Sequence, residues 1–221
     1  MLLWSVSAFA AADAVGVLVV AAPPEFEEQV EEAVEAAIGA FFPHSGKKAP
    51  TAVLVVPGGE TRAESVANAL ERVDSDLIVI HDAARPLVTA PLIDSVVRKL
   101  ADRPDADGVI AAAPLADTVK RAREPRPPKG EFARGGPTVR KTESRDHLWA
   151  AQTPQAFRTA RLRAAYDAAD PQRVAAATDE ATLIEKAGGK VLIEPAPAWN
   201  LKVTTSEDLP VAELLLERRP R

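Results

Sequence analysis

Asp76-Leu77-Ile78-Val79-Ile80-His81-Asp82-Ala83-Ala84-Arg85-Pro86 is the stretch that decides the fold. Its first five residues are a β-branched run without polar alternation, the pattern of a central strand covered on both faces. An acid and an arginine follow directly where that strand stops. In open α/β sheets ligands bind beyond the carboxyl ends of the strands, so Asp82 and Arg85 are placed to meet a substrate. The competing reading is a local Asp–Arg pair that caps a turn.

The flanking sequence repeats the same alternation. Upstream, Gly16 to Ala21 and Thr51 to Val56 read as strands. Pro23-Pro24 with Glu25, Glu27 and Glu28 opens a helix running towards Phe41, and Thr61-Arg62-Ala63-Glu64 has the spacing of a capping box for a helix to about Val73. Downstream, Thr89 or Pro91 to Leu100 reads as a helix and Gly108 to Ala113 as a strand. Trp149 to Gln155 is a short element before a helix from Phe157 to Ala169. Thr178 caps a further helix, Val191 to Glu194 and Asn200 to Thr204 are strands, and Ser206-Glu207-Asp208 caps a last helix. The pattern predicts a three-layer α/β sandwich with a mostly parallel sheet, one domain over residues 1–221.

Composition narrows the function. The chain has 221 residues, no cysteine, three histidines and a net charge of -5. Disulfides and thiolate metal sites are excluded, a histidine-rich zinc centre is disfavoured, and a reducing cytoplasm is the expected setting. The acidic balance argues against a general nucleic-acid binder. The apolar opening, Met1 to Ala10, lacks a basic leader and is too short to span a bilayer. Leu2, Leu3, Val6 and Phe9 instead fall at the spacing of a core-facing helix.

Between Pro114 and Arg145 the alternation breaks, because Pro125, Pro127, Pro128, Gly130, Gly135 and Gly136 forbid a long regular element. Thr118-Val119-Lys120 and Thr138-Val139-Arg140 read as short strands flanking an extended arm. Residues 120–145 hold nine basic side chains against three acidic ones. That excess fits an anionic ligand, a partner subunit, or a solvated loop.

Seven motifs then occur in one order: Gly58-Gly59-Glu60-Thr61-Arg62-x-x-Ser65-Val66, His81 to Pro86, Asp117-Thr118-Val119-Lys120, Thr142-x-x-Arg145, Gln152-Thr153-Pro154-Gln155, Thr178-Asp179-Glu180-Ala181 and Asn200-x-Lys202-Val203-Thr204. In that order they resemble the 2-C-methyl-D-erythritol 4-phosphate cytidylyltransferase family. The resemblance covers nearly the whole chain. It implies a Rossmann-like nucleotidyltransferase sheet with a protruding β-arm at 114–145. It also implies cytidylyl transfer from CTP to a sugar-alcohol phosphate, with a requirement for Mg²⁺ and release of pyrophosphate. Ribitol 5-phosphate is the alternative acceptor, and a non-catalytic nucleotide-binding dimer the alternative from another class.

The resemblance assigns roles to residues as well. Gly58, Gly59, Glu60 and Ser65 would form the cytosine pocket. Asp82 would hold hydroxyls of the acceptor or assist the metal. Ala83, Arg85, Thr118, Thr153 and Thr178 would surround the sugar phosphate, while Arg145 and Lys202 would position it for in-line attack. Arg145 would act across a homodimer through the arm. The structural alternatives are a plain strand-to-helix turn at Gly58-Gly59, an N-cap at Thr178 and a turn residue at Thr153. Lys202 is read within an apolar strand, where an unpaired ammonium is costly. His81 and His147 are expected to be structural, since the attacking phosphate is already ionised and needs no general base.

One departure stands out. The family's first strand and its Gly-rich phosphate loop, a segment on the order of 30 residues comparable to one βα unit, have no counterpart in the sequence. The expectation is a less stable sheet and a nearly inactive chain, with activity in a form extended upstream.

Overall fold

The computed structural model describes residues 1–45, 50, 52–123 and 137–218. The arm's interior, residues 124–136, lies outside the described residues. Along the chain run α1 (Leu2–Ala11), β1 (Val17–Ala22), α2 (Glu27–Ser45), β2 (Ala52–Pro57), α3 (Arg62–Leu70), β3 (Leu77–Ile80), α4 (Ala90–Ala101), β4 (Gly108–Pro114), β5 (Lys120–Arg123) and β6 (Thr138–Thr142). They are followed by β7 (Trp149–Arg158), α5 (Thr159–Ala168), α6 (Pro171–Ala176), α7 (Glu180–Lys186), β8 (Val191–Pro195) and α8 (Asp208–Glu217).

The mixed α/β architecture with a mostly parallel sheet is as expected, and its strands divide into groups. β1 pairs with β2 in parallel, while β3, β7, β4 and β8 form a four-stranded sheet in that order. β4 and β8 are parallel, but β7 runs antiparallel to both β3 and β4. Among the described residues β3 therefore has one strand neighbour rather than two, and it is only partly buried over Leu77–Val79, against its reading as a central strand. The strand covered on both faces is β4, buried from Gly108 to Ala113.

Side chains of a strand alternate between faces, and each face here meets its own helices. Ile80, Ile110 and Phe157 pack with Leu70 of α3, Leu162 of α5 and Ile184 of α7. Val109, Ala111 and Ala156 pack with Val96 and Leu100 of α4 on the other side. Full burial of side chains such as Phe157, Leu100 and Leu162 contributes roughly 1.5–3 kcal/mol each. α1 buries Val6 and Phe9, as its spacing predicts, but Leu3 lies on the exposed face.

Local signals explain the helix starts. Thr61 and Glu64 form the reciprocal capping box read from their spacing, and the Thr89 hydroxyl caps α4. At α7 the cap is Asp179, one residue beyond the predicted Thr178; its carboxylate accepts from the Thr182 amide at 3.0 Å. The predicted arm strands start and end elsewhere: Thr118 and Val119 precede β5, and β6 extends to Thr142. β5 and β6 pair as an exposed antiparallel ladder. Asn200–Thr204 forms no strand; the segment is extended and tied by the Val203 amide to the Ala84 carbonyl at 2.8 Å.

Candidate active site

Asp82 sits just past β3, where its carboxylate meets two cations and its amide a hydroxyl. Arg62, in the first turn of α3, donates through Nε to Asp82 Oδ1 at 2.8 Å. Lys202 places Nζ 3.0 Å from Asp82 Oδ2. The Asp82 amide donates to the Thr153 hydroxyl at 3.1 Å. Burial opposes ionisation of Asp82, but the hydrogen bond and charge of Arg62, and then those of Lys202, outweigh it and hold the carboxyl below its ordinary value. The ammonium that sequence reasoning found costly is thus paired.

Arg62 bridges two carboxylates. Its Nη1 reaches Glu180 Oε1 at 2.7 Å and Oε2 at 2.9 Å, and the Tyr166 hydroxyl donates to the same Oε1 at 3.3 Å. Glu180 is a nearly fully buried acid in the first turn of α7. Burial disfavours the Arg62 cation, yet Glu180 and then Asp82 more than compensate and raise its pKa. Arg62 and Glu180 stood inside quoted motifs without an assigned role. The available signal was an acid in a first turn beside an apolar helix, which marks a capping position as readily as a buried partner.

A second network carries Arg85. The Arg85 carbonyl can only accept, so His81 donates to it through Nε2 at 3.2 Å, and Nδ1 of the neutral ring accepts from the Thr153 hydroxyl at 2.9 Å, which itself accepts from the Asp82 amide. Burial lowers the His81 pKa to about 4, opposed by the Arg85 carbonyl and Asp82. The ring is neutral at neutral pH and acts as a structural bridge. Arg85 donates through Nη1 to the Asn200 carbonyl at 2.9 Å, while among the described residues its buried Nε has no hydrogen-bond partner. Asn200 is itself fully buried, bonded to Gln152 Oε1 at 2.9 Å and to the Thr153 carbonyl at 3.0 Å.

β7 supplies this floor through an irregularity. Between the pairs Ile110–Gln155 and Ala112–Ala151, one residue of β4 faces three of β7, and the Thr153–Pro154 peptide there is cis. Bulged pairing re-aims side chains, and here Gln152, Thr153 and Gln155 turn inward to bond Asn200, His81 and Asp179.

The Gly58 turn lies next to this cluster. The Gly58 amide donates to the Ala22 carbonyl at 2.6 Å, and a Cβ at Gly58 would lie 3.0 Å from that oxygen. A Cβ at Gly59 would fall 2.2 Å from Glu64 Cβ, so only glycine fits. Ser65 is engaged within the turn, accepting from the Gly59 amide at 3.0 Å and donating to the Thr61 carbonyl at 3.0 Å. The Glu60 amide donates to Glu64 Oε2 at 2.8 Å. Ser65, Arg62, Asp82, Ala83 and Lys202 line one cavity of about 820 Å³.

The other assigned residues lie apart. Thr118 and Thr178 are exposed. Arg145 is exposed and donates through Nη1 to the Ala116 carbonyl at the root of the arm. Among the described residues, no hydrogen bond or ion pair joins these three to Asp82. No group of three or more acidic or histidine side chains among them is arranged to hold a metal ion.

The family model for 2-C-methyl-D-erythritol 4-phosphate cytidylyltransferase, IspD, matches residues 1–218. The chain belongs to this family. It is 41% identical to a bifunctional enzyme IspD/IspF of Anaeromyxobacter dehalogenans over 96% of this chain and 49% of that one, and thus spans about half the length of that relative. It is 38% identical to a 2-C-methyl-D-erythritol 4-phosphate cytidylyltransferase of Streptomyces avermitilis over 99% of this chain and 81% of the other. Among solved structures, the 4-diphosphocytidyl-2C-methyl-D-erythritol synthase of Anaerococcus prevotii superposes with a TM-score of 0.77, covering 98% of this chain and 89% of that chain at 24% identity, which speaks to the fold.

Proposed function

We propose that this chain transfers a cytidylyl group from CTP to 2-C-methyl-D-erythritol 4-phosphate and releases pyrophosphate. The observation that carries the reading is the Asp82 cluster, with Lys202 and Arg62 on its carboxylate and Arg85 one network away, set beside a turn that admits only glycine at position 59. Two polyanions must meet in this reaction, so the site needs fixed cations and donors more than a nucleophile of its own. Lys202 and Arg85 would draw the acceptor phosphate, and Asp82, held ionised, would accept from its hydroxyls. The close backbone at Gly58 and Gly59, with Glu60 and Ser65, would read the cytosine edge. Ala83 and Thr153 would shape the acceptor side.

Thr118, Thr178 and Arg145 enter this reading differently. The hairpin is exposed, and Val139 within it is 65% exposed. That supports an arm that packs on a second subunit and presents Arg145 there, in a homodimer whose catalytic domain is residues 1–221. The donor set does not fit a metal held by the protein, because both Asp82 oxygens are engaged by cations and Glu180 is held by Arg62. A divalent cation would come with the triphosphate. Ribitol 5-phosphate as acceptor finds no support in the relatives above. No helix among the described residues is long and apolar enough to cross a membrane, and a cytoplasmic location suits a cysteine-free biosynthetic enzyme.

The test follows pyrophosphate released from CTP and methylerythritol phosphate. Release that requires both substrates is expected. Absence of release, or equal release with ATP in place of CTP, overturns the proposal.

A further inference from the structure

Glu180, Arg62, Asp82 and Lys202 form a line of alternating charge that runs from a buried end at Glu180 to an exposed end at Lys202. Arg62 is fixed from both sides. Its backbone follows the Thr61 cap in the first turn of α3, where the reciprocal box with Glu64 holds the turn. Its Nη1 meets both oxygens of Glu180, which is seated in the first turn of α7 and also accepts from the Tyr166 hydroxyl at 3.3 Å. Asp82 is tied down through its amide, which donates to Thr153. Lys202 is the looser member: it belongs to the extended segment 200–204, and among the described residues its ion pair is with Asp82 Oδ2 at 3.0 Å.

This arrangement divides the charge of Asp82. Oδ1 is taken by Arg62 and Oδ2 by Lys202. A carboxylate that serves two cations attracts each less than it would attract one alone, because each cation cancels part of the negative charge felt by the other. Without Arg62, both oxygens could close on the ammonium, and Lys202 would be withheld from an incoming anion. A lysine at position 62 could not repeat the division. Its ammonium is a point charge, and the deeply buried Glu180 has the greater need of a partner, whereas a guanidinium presents donors on two sides of one rigid plane.

We infer that Arg62 is a positioning residue of the transfer reaction: anchored on Glu180, it takes one oxygen of Asp82, so that Lys202, held by the other oxygen alone, is released to the acceptor phosphate. The inference rests on the cytidylyl-transfer reading above and adds to it a residue that acts through Asp82 and Lys202 rather than by contact with substrate.

The test compares the unaltered chain with Arg62→Lys and with a double variant, Arg62→Gln with Glu180→Gln, which removes the buried acid together with its partner. Steady-state pyrophosphate release is one readout. The other is the rate at which acetic anhydride labels Lys202 in the absence of substrate, followed by mass spectrometry. The double variant should keep a Tm close to that of the unaltered chain, yet lose about ten- to a hundredfold in kcat/KM for methylerythritol phosphate, with KM for CTP changed by less than about threefold. Arg62→Lys should fall in the same way, and in both variants labelling of Lys202 should slow by about threefold or more. An unchanged labelling rate, or kcat/KM equal to that of the unaltered chain in either variant, would overturn the inference; Tm and kcat/KM that recover together in the double variant would leave Arg62 a structural brace only. Absence of pyrophosphate release from the unaltered chain counts against the transfer reading instead, and the labelling rates then decide the division of charge by themselves.

Discussion

Arg62 Nε lies 2.8 Å from Asp82 Oδ1, and the same guanidinium holds Glu180 through Nη1. One side chain thus connects the turn after β2, the loop after β3 and the start of α7. Removing it leaves a buried carboxylate uncompensated, which typically costs about 3–5 kcal/mol. Because Arg62 is a third exposed, the lower part of that range applies. Arg62→Met should lower the urea midpoint by the equivalent of about 3 kcal/mol, and adding Glu180→Gln should recover a large share. A double-mutant cycle without coupling would contradict this arrangement.

The His81 bridge makes stability depend on pH. Its folded pKa of about 4 lies below the ordinary value of 6.5, so the unfolded chain binds the proton more readily between those two values. Stability should therefore fall as pH drops from 6.5 to 4, by up to about 3 kcal/mol. Urea midpoints across that window should show the decline, and His81→Gln, which keeps a donor near the Arg85 carbonyl, should flatten it. The depressed Asp82 carboxyl acts in the same direction at lower pH, because its contribution is lost as pH falls through its folded value.

Asp82 and Lys202 separate catalysis from stability. The Lys202 side chain is 42% exposed, so its pair with Asp82 contributes within about 1 kcal/mol to folding. Lys202→Met should leave Tm within a few degrees but reduce kcat/KM for methylerythritol phosphate by roughly 10²–10³, the scale for removing one charge-stabilising group. Steady-state kinetics with CTP held saturating checks this; an unchanged kcat/KM would remove Lys202 from the site.

Gly59 is constrained by its neighbour rather than by an unusual φ. A methyl group there would meet Glu64 Cβ and disturb the capping box. Gly59→Ala should lower stability by about 1–3 kcal/mol, readable by denaturant titration. It should also weaken CTP binding measured by calorimetry.

Much of the fold was legible because helix caps and hydrophobic periods are local. Thr61 with Glu64, and Thr89, announced their helices through spacing alone. β7 was hidden for the opposite reason. Gln152, Thr153, Pro154 and Gln155 look like a turn, yet they enter the interior because Asn200, His81 and Asp179 satisfy them from distant parts of the chain. A satisfied buried amide looks no different in sequence from an exposed one. The structure places Asp82, Lys202, Thr153 and Arg85 in linked networks, while the motifs left Arg62 and Glu180 without a role, since their importance lies in a pairing across 118 residues.

The antiparallel course of β7 also sets the order in which the molecule can assemble. Residues near 80 and near 110 are made well before 149–158, yet in the four-stranded sheet β7 is the strand that lies between them. During synthesis β3 and β4 must wait with open edges until β7 emerges, and long-range closures of this kind slow folding and prolong exposure to aggregation. The strand that builds the floor of the candidate site is thus also the latch of the sheet. A ribosome-bound chain ending before Trp149 should engage chaperones, whereas one that has released Arg158 has the means to close.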